Sequence, residues 1–560
     1  MTDYPFAFPP NEAQQLAIPH IDTENNIVLS FGTGVGKTAI AEAAAYEHLK
    51  KGERVIFICP FRSLASEKLR DWENNKVLSP YGIQMRSGEN RVSLEGLEKS
   101  KILIFTPEAF VIYAHELDYG LIIFDEFHLI ADEDRGHTIE MAMIQGNAAR
   151  FLCMSGTLPK NIDQVSDWIS ELTQRKTATI KSSYMPSKRE VTISVCKKVK
   201  KQDPKIKWKS TYDYNYAEVV GIYKSRPTTG KTIAFVSSKR FGNEIESHFS
   251  KFTTSAFHHA SIGKDARAKY EKDFLDGKIK VLFATTTLAA GVNLMADRIL
   301  VLGVKKGQEY LNSFEIGQMI GRCGRVHGTT GYVDIIVDSD KQREEIKKII
   351  ENRPSVGSHS VAERLDYYAL KYGVHEMKKT LCSSFGGYTL SDMEIDKICK
   401  STFETLLLLE MIDKDGNKTD LGNMVSKTFL SPSDASSIYC GLCEFIGSVP
   451  RNMTGRLAHV LGDNEAVSKV TPNYQTSEKH GKLLEQFSFP PCSSNTKYGL
   501  VWIMAMAGEC SLANTSYVKM AFTEIWNSSI KTIARFVFKD DEEFEGICNV
   551  VEKKNTDNWD

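Results

Sequence analysis

Lys37 and Thr38 close the glycine-rich run "FGTGVGKT", which lies between the apolar stretch "NIVLS" and an alanine-rich segment. A turn of this kind, between a strand and a helix, aims backbone N–H groups and the positive end of the helix dipole at one point. A lysine adds a point charge there, and the chemistry that results is phosphate binding. Gly32, Thr33, Gly34, Val35, Gly36, Lys37 and Thr38 are therefore candidate phosphate ligands, with Thr38 also a candidate ligand of a divalent cation. The usual pattern asks for a small residue where this chain has Phe31. A chance glycine-rich connection is the competing reading, and the strand, turn and helix in the required order argue against it.

Far downstream, "LIIFDEFHLI" delivers Asp125, Glu126 and His128 at the end of an apolar run. Carboxylates at the C-terminal edge of a parallel sheet lie beside a phosphate loop. There Asp125 can hold Mg2+ and Glu126 can orient or deprotonate an attacking water. Later still, "EIGQMIGRCGRVHG" offers Gln318, Arg322 and Arg325. Arginines three apart share one helix face, so Arg322 and Arg325 can both point across a cleft at a γ-phosphate; the alternative is a solvated basic helix end. With these groups split between two domains, hydrolysis becomes coupled to domain closure.

The elements that must carry these residues form two series. "NIVLSF", "RVIFICP", "ILIFTP", "LIIFDE" and "FLCMSG" come first, followed by "TIAFVSS", "KVLFATT", "RILVLGV" and "GYVDIIVD". Strands apolar throughout and separated by helical patterns indicate parallel α/β sheets buried on both faces. The lysine-rich segment from Cys196 to Ser210 reads as a solvated excursion. After about Arg353-Pro354 the texture turns helical, and "IDKDGNKTDLG" reads as strand, Asp-Gly turn and return strand, the pattern of a winged helix. The expected architecture is α/β, with parallel-sheet domains at 1–178 and 179–355, a winged helix at 356–430 and a helical bundle at 431–560.

Composition bounds the rest. A chain of 560 residues, with 42% hydrophobic and 25% charged residues, suits several soluble globular domains. Seventy basic against 71 acidic residues leave a net charge of -1, so any nucleic acid must be held by a local basic channel. The 11 scattered cysteines fit reduced thiols, and Cys440 and Cys443 read as two buried helix cysteines in preference to a metal site. No signal peptide or membrane span is apparent, so an intracellular, soluble protein is expected.

Taken together, these segments resemble the superfamily 2 DExH-box helicases, in the superkiller-like branch that includes the archaeal fork-remodelling DNA helicases and human helicase Q. "NEAQQLAI" resembles the adenine-reading segment, with Gln14 the glutamine; "CPFRSLASEKL" and "FTPE" resemble motifs Ia and Ib. "MSGTLP" keeps Ser155 and Thr157, with Gly156 in place of alanine; "ATTTLAAGVNL", which contains Gly291, is close to motif V; and "QMIGRCGR" carries Cys323 where alanine is usual. The resemblance implies two RecA-like domains that bind ATP and Mg2+ and ratchet along one strand, one nucleotide per ATP. It makes Gly291 and Gln318 nucleotide contacts and Arg62, Thr106, Ser237, Thr286 and Thr287 strand contacts.

"RILVLGVKKGQEYLNSFEI" reads as two strands joined by "KKGQ", and the related DNA helicases have a duplex-separating hairpin there. Lys305, Lys306 and Tyr310 are the candidates for its tip, with a buried structural hairpin as the alternative. Trp526 falls away from the apolar row of its helical segment and is a candidate for stacking on bases; a core position is the competing reading. The expected activity is an ATP-dependent, 3'-to-5' helicase of single strands and duplex junctions, working as a monomer away from membranes. DNA is favoured over RNA, because the chain passes from winged helix to bundle without the long inserted arch of several RNA-directed relatives. A superkiller-type RNA helicase and an ATP-driven clamp that does not unwind are the alternatives.

Overall fold

The computed structural model describes residues 3–447 apart from short loops, the longest of them 87–98, 203–209 and 286–293, together with 531–539 and 544–545. The chain divides into two compact units, Met1–Ser360 and Val361–Asp560.

The first unit contains two α/β domains. In the first, β1 (Asn26–Ser30), β2 (Val55–Ile58), β3 (Ile83–Arg86), β4 (Ile102–Phe105), β5 (Leu121–Phe124), β6 (Arg150–Ser155) and β7 (Thr177–Lys181) form one sheet in the order β3-β4-β2-β5-β6-β1-β7. Its pairs are parallel throughout, so helices must cover both faces, and β2, β4 and β5 are buried at every residue. This is why these strands read as uninterrupted apolar runs. The phosphate loop leaves the end of β1 and Asp125 leaves the end of β5, both at the C-terminal edge where α/β folds gather ligands.

The second domain opens with β8 (Lys188–Val195), which continues into an antiparallel ribbon of β9 (Lys198–Gln202) and β10 (Ser210–Tyr214). The lysine-rich segment is therefore partly a ribbon. The sheet is completed by β11 (Thr232–Val236), β12 (Ser255–His258), β13 (Val281–Thr285), β14 (Arg298–Leu302) and β17 (Thr330–Val337), in the order β12-β13-β11-β14-β17-β8. Between β14 and β17 lies a small antiparallel pair, β15 (Lys305–Lys306) and β16 (Glu309–Tyr310).

Both domains use a buried arginine to finish a helix. Arg150 donates to the carbonyls of His20 and Ile21 at 2.7 and 2.6 Å, at the end of the helix Glu12–Ile21. Arg298, fully buried, donates to those of Ile222 and Tyr223 at 3.1 and 2.6 Å and pairs with Asp334 at 2.7 Å. The last carbonyls of a helix lack internal partners, and a cation there also complements the dipole.

The described residues of the second unit are mainly helical. Helices Leu365–Tyr372, Met377–Ser383, Asp392–Leu408, Asp420–Val425, Pro432–Gly447 and Lys531–Val537 share a core that includes Leu370, Leu381, Leu406, Ile438 and Ile533. The return strands expected of a winged helix shrink to one bridge, Ile412 opposite Lys418, because Asp413 turns the chain at once by accepting from the backbone of Asp415 and Asn417, each at 2.9 Å. Cys440 is exposed and Cys443 half-buried, which corrects the expectation that both are buried. No group of His, Cys, Asp and Glu suited to a metal occurs among the described residues, and none of their helices is long and apolar enough to cross a membrane. Trp526 lies outside the described residues.

Candidate active site

The phosphate loop is held from below by the first helix. Asn11 and Gln14 form a reciprocal capping box, and from it the Asn11 side chain donates to the Val35 carbonyl at 2.9 Å and Gln14 to that of Gly36 at 3.1 Å. Gly36 has φ +86°, and a Cβ there would lie 2.5 Å from the Gln14 amide nitrogen. Only glycine fits both the backbone and the space. Asn11 was not among the residues singled out above, although the Asn-x-x-Gln spacing of a capping box was visible.

Phe31 explains its own departure from the pattern. Its side chain is fully buried in the core, while its carbonyl accepts from the Lys37 ammonium at 3.1 Å. The Gly32 carbonyl accepts from the same ammonium at 3.5 Å. Burial lowers the Lys37 pKa against the pull of Glu126 and Asp125, and Arg189 and Arg322 lower it further. The loop thus holds its lysine on carbonyls that an anionic ligand would replace. Gly34 and Thr38 are exposed at the mouth and Val35 is buried; Thr33 lies outside the described residues.

Opposite the loop, Asp125 ends β5 with its backbone N–H on the Ile58 carbonyl at 3.0 Å. Burial, then the neighbouring Glu126, raise the Asp125 pKa. Glu126 adopts φ 48° and ψ 44°, left-handed backbone for a residue other than glycine. Such conformations persist where a site demands them. His128 is 1% exposed, and burial first, then Lys37, push its pKa down to about 4, so the ring is neutral. Its Nδ1 lies 3.0 Å from Ser155 Oγ and 3.3 Å from Glu126 Oε2.

The second domain meets this cluster through the helix Ser313–Gly321. Gln318 Nε2 lies 3.1 Å from His128 Nε2, so with the amide as donor the ring proton sits on Nδ1. Arg322 follows as the helix cap; burial lowers its pKa, while the carboxylates of Glu126 and Glu67 in the first domain favour its charge. Lys37, Asp125, Glu126 and Arg322 are therefore electrostatic neighbours around one cleft, with Gln318 bonded into it through His128. Arg325 and Gly291 lie outside the described residues.

The residues expected on the strand side differ among themselves. Arg62 starts the helix Arg62–Glu73 and is exposed, and Ser237 is exposed beyond β11. Thr106 is only 6% exposed, because it opens the helix Pro107–Tyr113 with its carbonyl on the Phe110 N–H, so it offers a strand little surface. Lys305 and Lys306 stand in β15 and not in the turn as read from the sequence, Lys305 facing Tyr310 across the ribbon with its ammonium 4.4 Å from the ring centre. At the ribbon's base, a Cβ on Gly303 would fall 2.6 Å from that of Ser237. Thr286 and Thr287 lie outside the described residues, as does Thr157.

Comparison with known proteins agrees with this arrangement. Residues 11–165 match the DEAD/DEAH box helicase family and residues 215–327 the helicase conserved C-terminal domain. The chain is 27% identical to the ATP-dependent DNA helicase Hel308 of Thermoplasma volcanium over 85% of its own length and 80% of that protein's. It is 28% identical to Hel308 of Thermoplasma acidophilum, over 75% of this chain and 68% of that one. It is also 26% identical to the ATP-dependent DNA helicase MER3 of Saccharomyces cerevisiae, over 75% of this chain and 41% of the yeast protein. The paired parallel-sheet domains, the cleft between them and these matches make the chain a superfamily 2 helicase, an ATP-hydrolysing relative of the archaeal Hel308 proteins.

Proposed function

We propose that the protein is a DNA translocase that moves 3' to 5' along single strands and opens duplex junctions during replication, repair or recombination. The observation that carries this reading is the bond between His128 and Gln318, which ties the catalytic loop of one domain to the arginine-bearing helix of the other. A motor needs such a tie, because a change at the nucleotide must alter how the domains sit. The preference for DNA comes from likeness to relatives named as DNA helicases, and the polarity from the family resemblance of the sequence motifs.

The chain's own residues divide the work as follows. Backbone N–H groups of residues 32–36 and the Lys37 ammonium receive the phosphates, the ammonium leaving the Phe31 and Gly32 carbonyls. Gln14 would read the adenine by releasing the Asn11 N–H and the Gly36 carbonyl that its amide holds. Glu126 orients and deprotonates the attacking water, while neutral His128 stays bonded to Gln318. Arg322, with Arg325, balances the charge that spreads over the transferring phosphoryl group. Thr38 and Asp125, oxygen ligands suited to Mg2+, would hold a divalent cation, whose charge would offset that of the phosphates. Arg62 and Ser237 read strand phosphates without regard to sequence.

The test is unwinding of 3'-tailed, 5'-tailed and blunt duplexes, as DNA and as RNA, at equal ATP. Opening of 3'-tailed DNA alone is expected. Preference for 5' tails would reverse the polarity, preference for RNA would make it an RNA helicase, and strand-stimulated ATPase without opening would make it a clamp.

A further inference from the structure

The turn that presents Arg322 is held by a residue with no place in the nucleotide chemistry derived above. Arg189 stands on β8, the edge strand of the second sheet, opposite Gly331 of β17. Its Nε donates to the Cys323 carbonyl at 2.9 Å and its Nη2 reaches the Gly321 carbonyl at 3.5 Å. Between those two, the Arg322 carbonyl accepts from the Ala296 N–H at 2.9 Å, and Gly324 N–H returns to the Ala296 carbonyl at 2.9 Å. The carbonyls of residues 321, 322 and 323, orphans at a helix end, are thus all accounted for, two of them by one guanidinium.

The sheet is shaped to allow this. Cys323 is fully buried, its thiol directed at the carbonyls of Tyr332 and Asp297 at 3.3 and 3.6 Å. A Cβ at Gly331 would lie 2.7 Å from the Cys323 sulfur and 3.1 Å from Gly324 N, so the turn rests directly on bare backbone. Pressed against β17 and clamped from β8, the turn has little freedom to move independently of the sheet.

We propose that Arg189 is a positioning residue for catalysis: its fork fixes the turn after the helix Ser313–Gly321 so that Arg322 meets the phosphoryl group when the cleft closes. The inference rests on the reading of Arg322 as the cross-cleft cation. A lysine would keep the charge that suits a helix end but could not span two carbonyls with a rigid fork. A purely structural arginine would act through stability alone, whereas a positioning residue acts through Arg322 and so loses its effect once that side chain is gone.

The experiment is a double-mutant cycle on strand-stimulated ATPase, with Arg189→Ala, Arg189→Lys and Arg322→Ala alone and combined, in the full chain. Displacing a catalytic group by about 1 Å costs on the order of 100-fold, so Arg189→Ala should lower kcat by about that factor while KM for ATP changes little. Arg189→Lys should recover only part of the loss. In the Arg322→Ala background, Arg189→Ala should lower kcat by less than about twofold further. Equal loss in both backgrounds, or full turnover in Arg189→Lys, would overturn the inference; if Arg189→Ala fails to fold, the lysine variant is carried through the same cycle. Full turnover in Arg322→Ala alone would instead reject the cross-cleft reading on which it rests.

Discussion

Gln318 of the second domain reaches His128 of the first across 3.1 Å, although the two are 190 residues apart in the chain. His128 can accept that bond because it is neutral, and it is neutral because it is buried with Lys37 nearby. The same ring touches Ser155 and Glu126 on its other side. One imidazole therefore joins the Glu126 carboxylate to the helix that Arg322 caps. The acidic loop of the first domain and that helix of the second thus meet at a single buried side chain.

Removing the amide should separate these two events. In Gln318→Leu the buried His128 nitrogen loses its donor, at a cost of about 1–3 kcal/mol in the closed arrangement. Basal ATPase is expected to change little, while its stimulation by single-stranded DNA falls several-fold. ATPase measured against strand concentration checks this; unchanged stimulation would take the contact out of the coupling.

The catalytic assignments predict larger effects. Lys37→Ala and Glu126→Gln should each lower ATP turnover by orders of magnitude, because aligned phosphoryl-transfer groups act as a unit. Glu126→Gln should still retain ATP. Filter binding of labelled nucleotide beside steady-state ATPase distinguishes the two, and near-normal turnover in either folded variant would remove that residue from the mechanism.

The buried histidine gives stability a pH dependence of definite sign. Its pKa is about 4 in the fold against 6.5 for an unperturbed ring. Below about pH 6.5 the unfolded chain takes up a proton that the native state refuses until about pH 4. The stabilisation is complete above the unfolded value and disappears as pH falls through the folded one, a span of about 3 kcal/mol. Between pH 7 and 5 the first unit should lose more stability than it does in His128→Gln. Denaturant melts of both proteins at each pH read the difference, which should shrink towards zero only if the ring is exposed to solvent.

The ribbon of β15 and β16 allows a mechanical test. Replacing Lys305, Lys306 and Tyr310 with alanine should leave strand-stimulated ATPase nearly intact and abolish unwinding if the ribbon parts base pairs. A structural ribbon would lose melting temperature and ATPase together. The ratio of unwinding rate to ATPase rate, in a variant of unchanged melting temperature, decides between them.

Local chemistry made much of this legible in one dimension. Strands buried on both faces appear as unbroken apolar runs, such as "LIIF" in β5, and residues that meet one phosphate from one turn must be neighbours in the chain. The two successive series of strands, the loop around Lys37 and the acidic pair at Asp125 and Glu126 follow from such short-range requirements. Readings that depended on which way a side chain faces fared less well: Thr106 is buried by the helix it begins, Cys440 is exposed, and the lysines read as a turn lie in β15.

Nothing local marked Arg189, an arginine in an ordinary edge strand, or showed that it would grip the carbonyls of Gly321 and Cys323. Its role exists only because β8 pairs with β17 in a register that sets it opposite Gly331, where the missing side chain lets the turn come close. The sequence by itself determined the kinds of groups available and the elements that hold them. Tertiary packing decided which of them share a cleft, because a distance of a few ångströms between residues more than a hundred positions apart is set by sheet order and register, and no spacing in the chain encodes it.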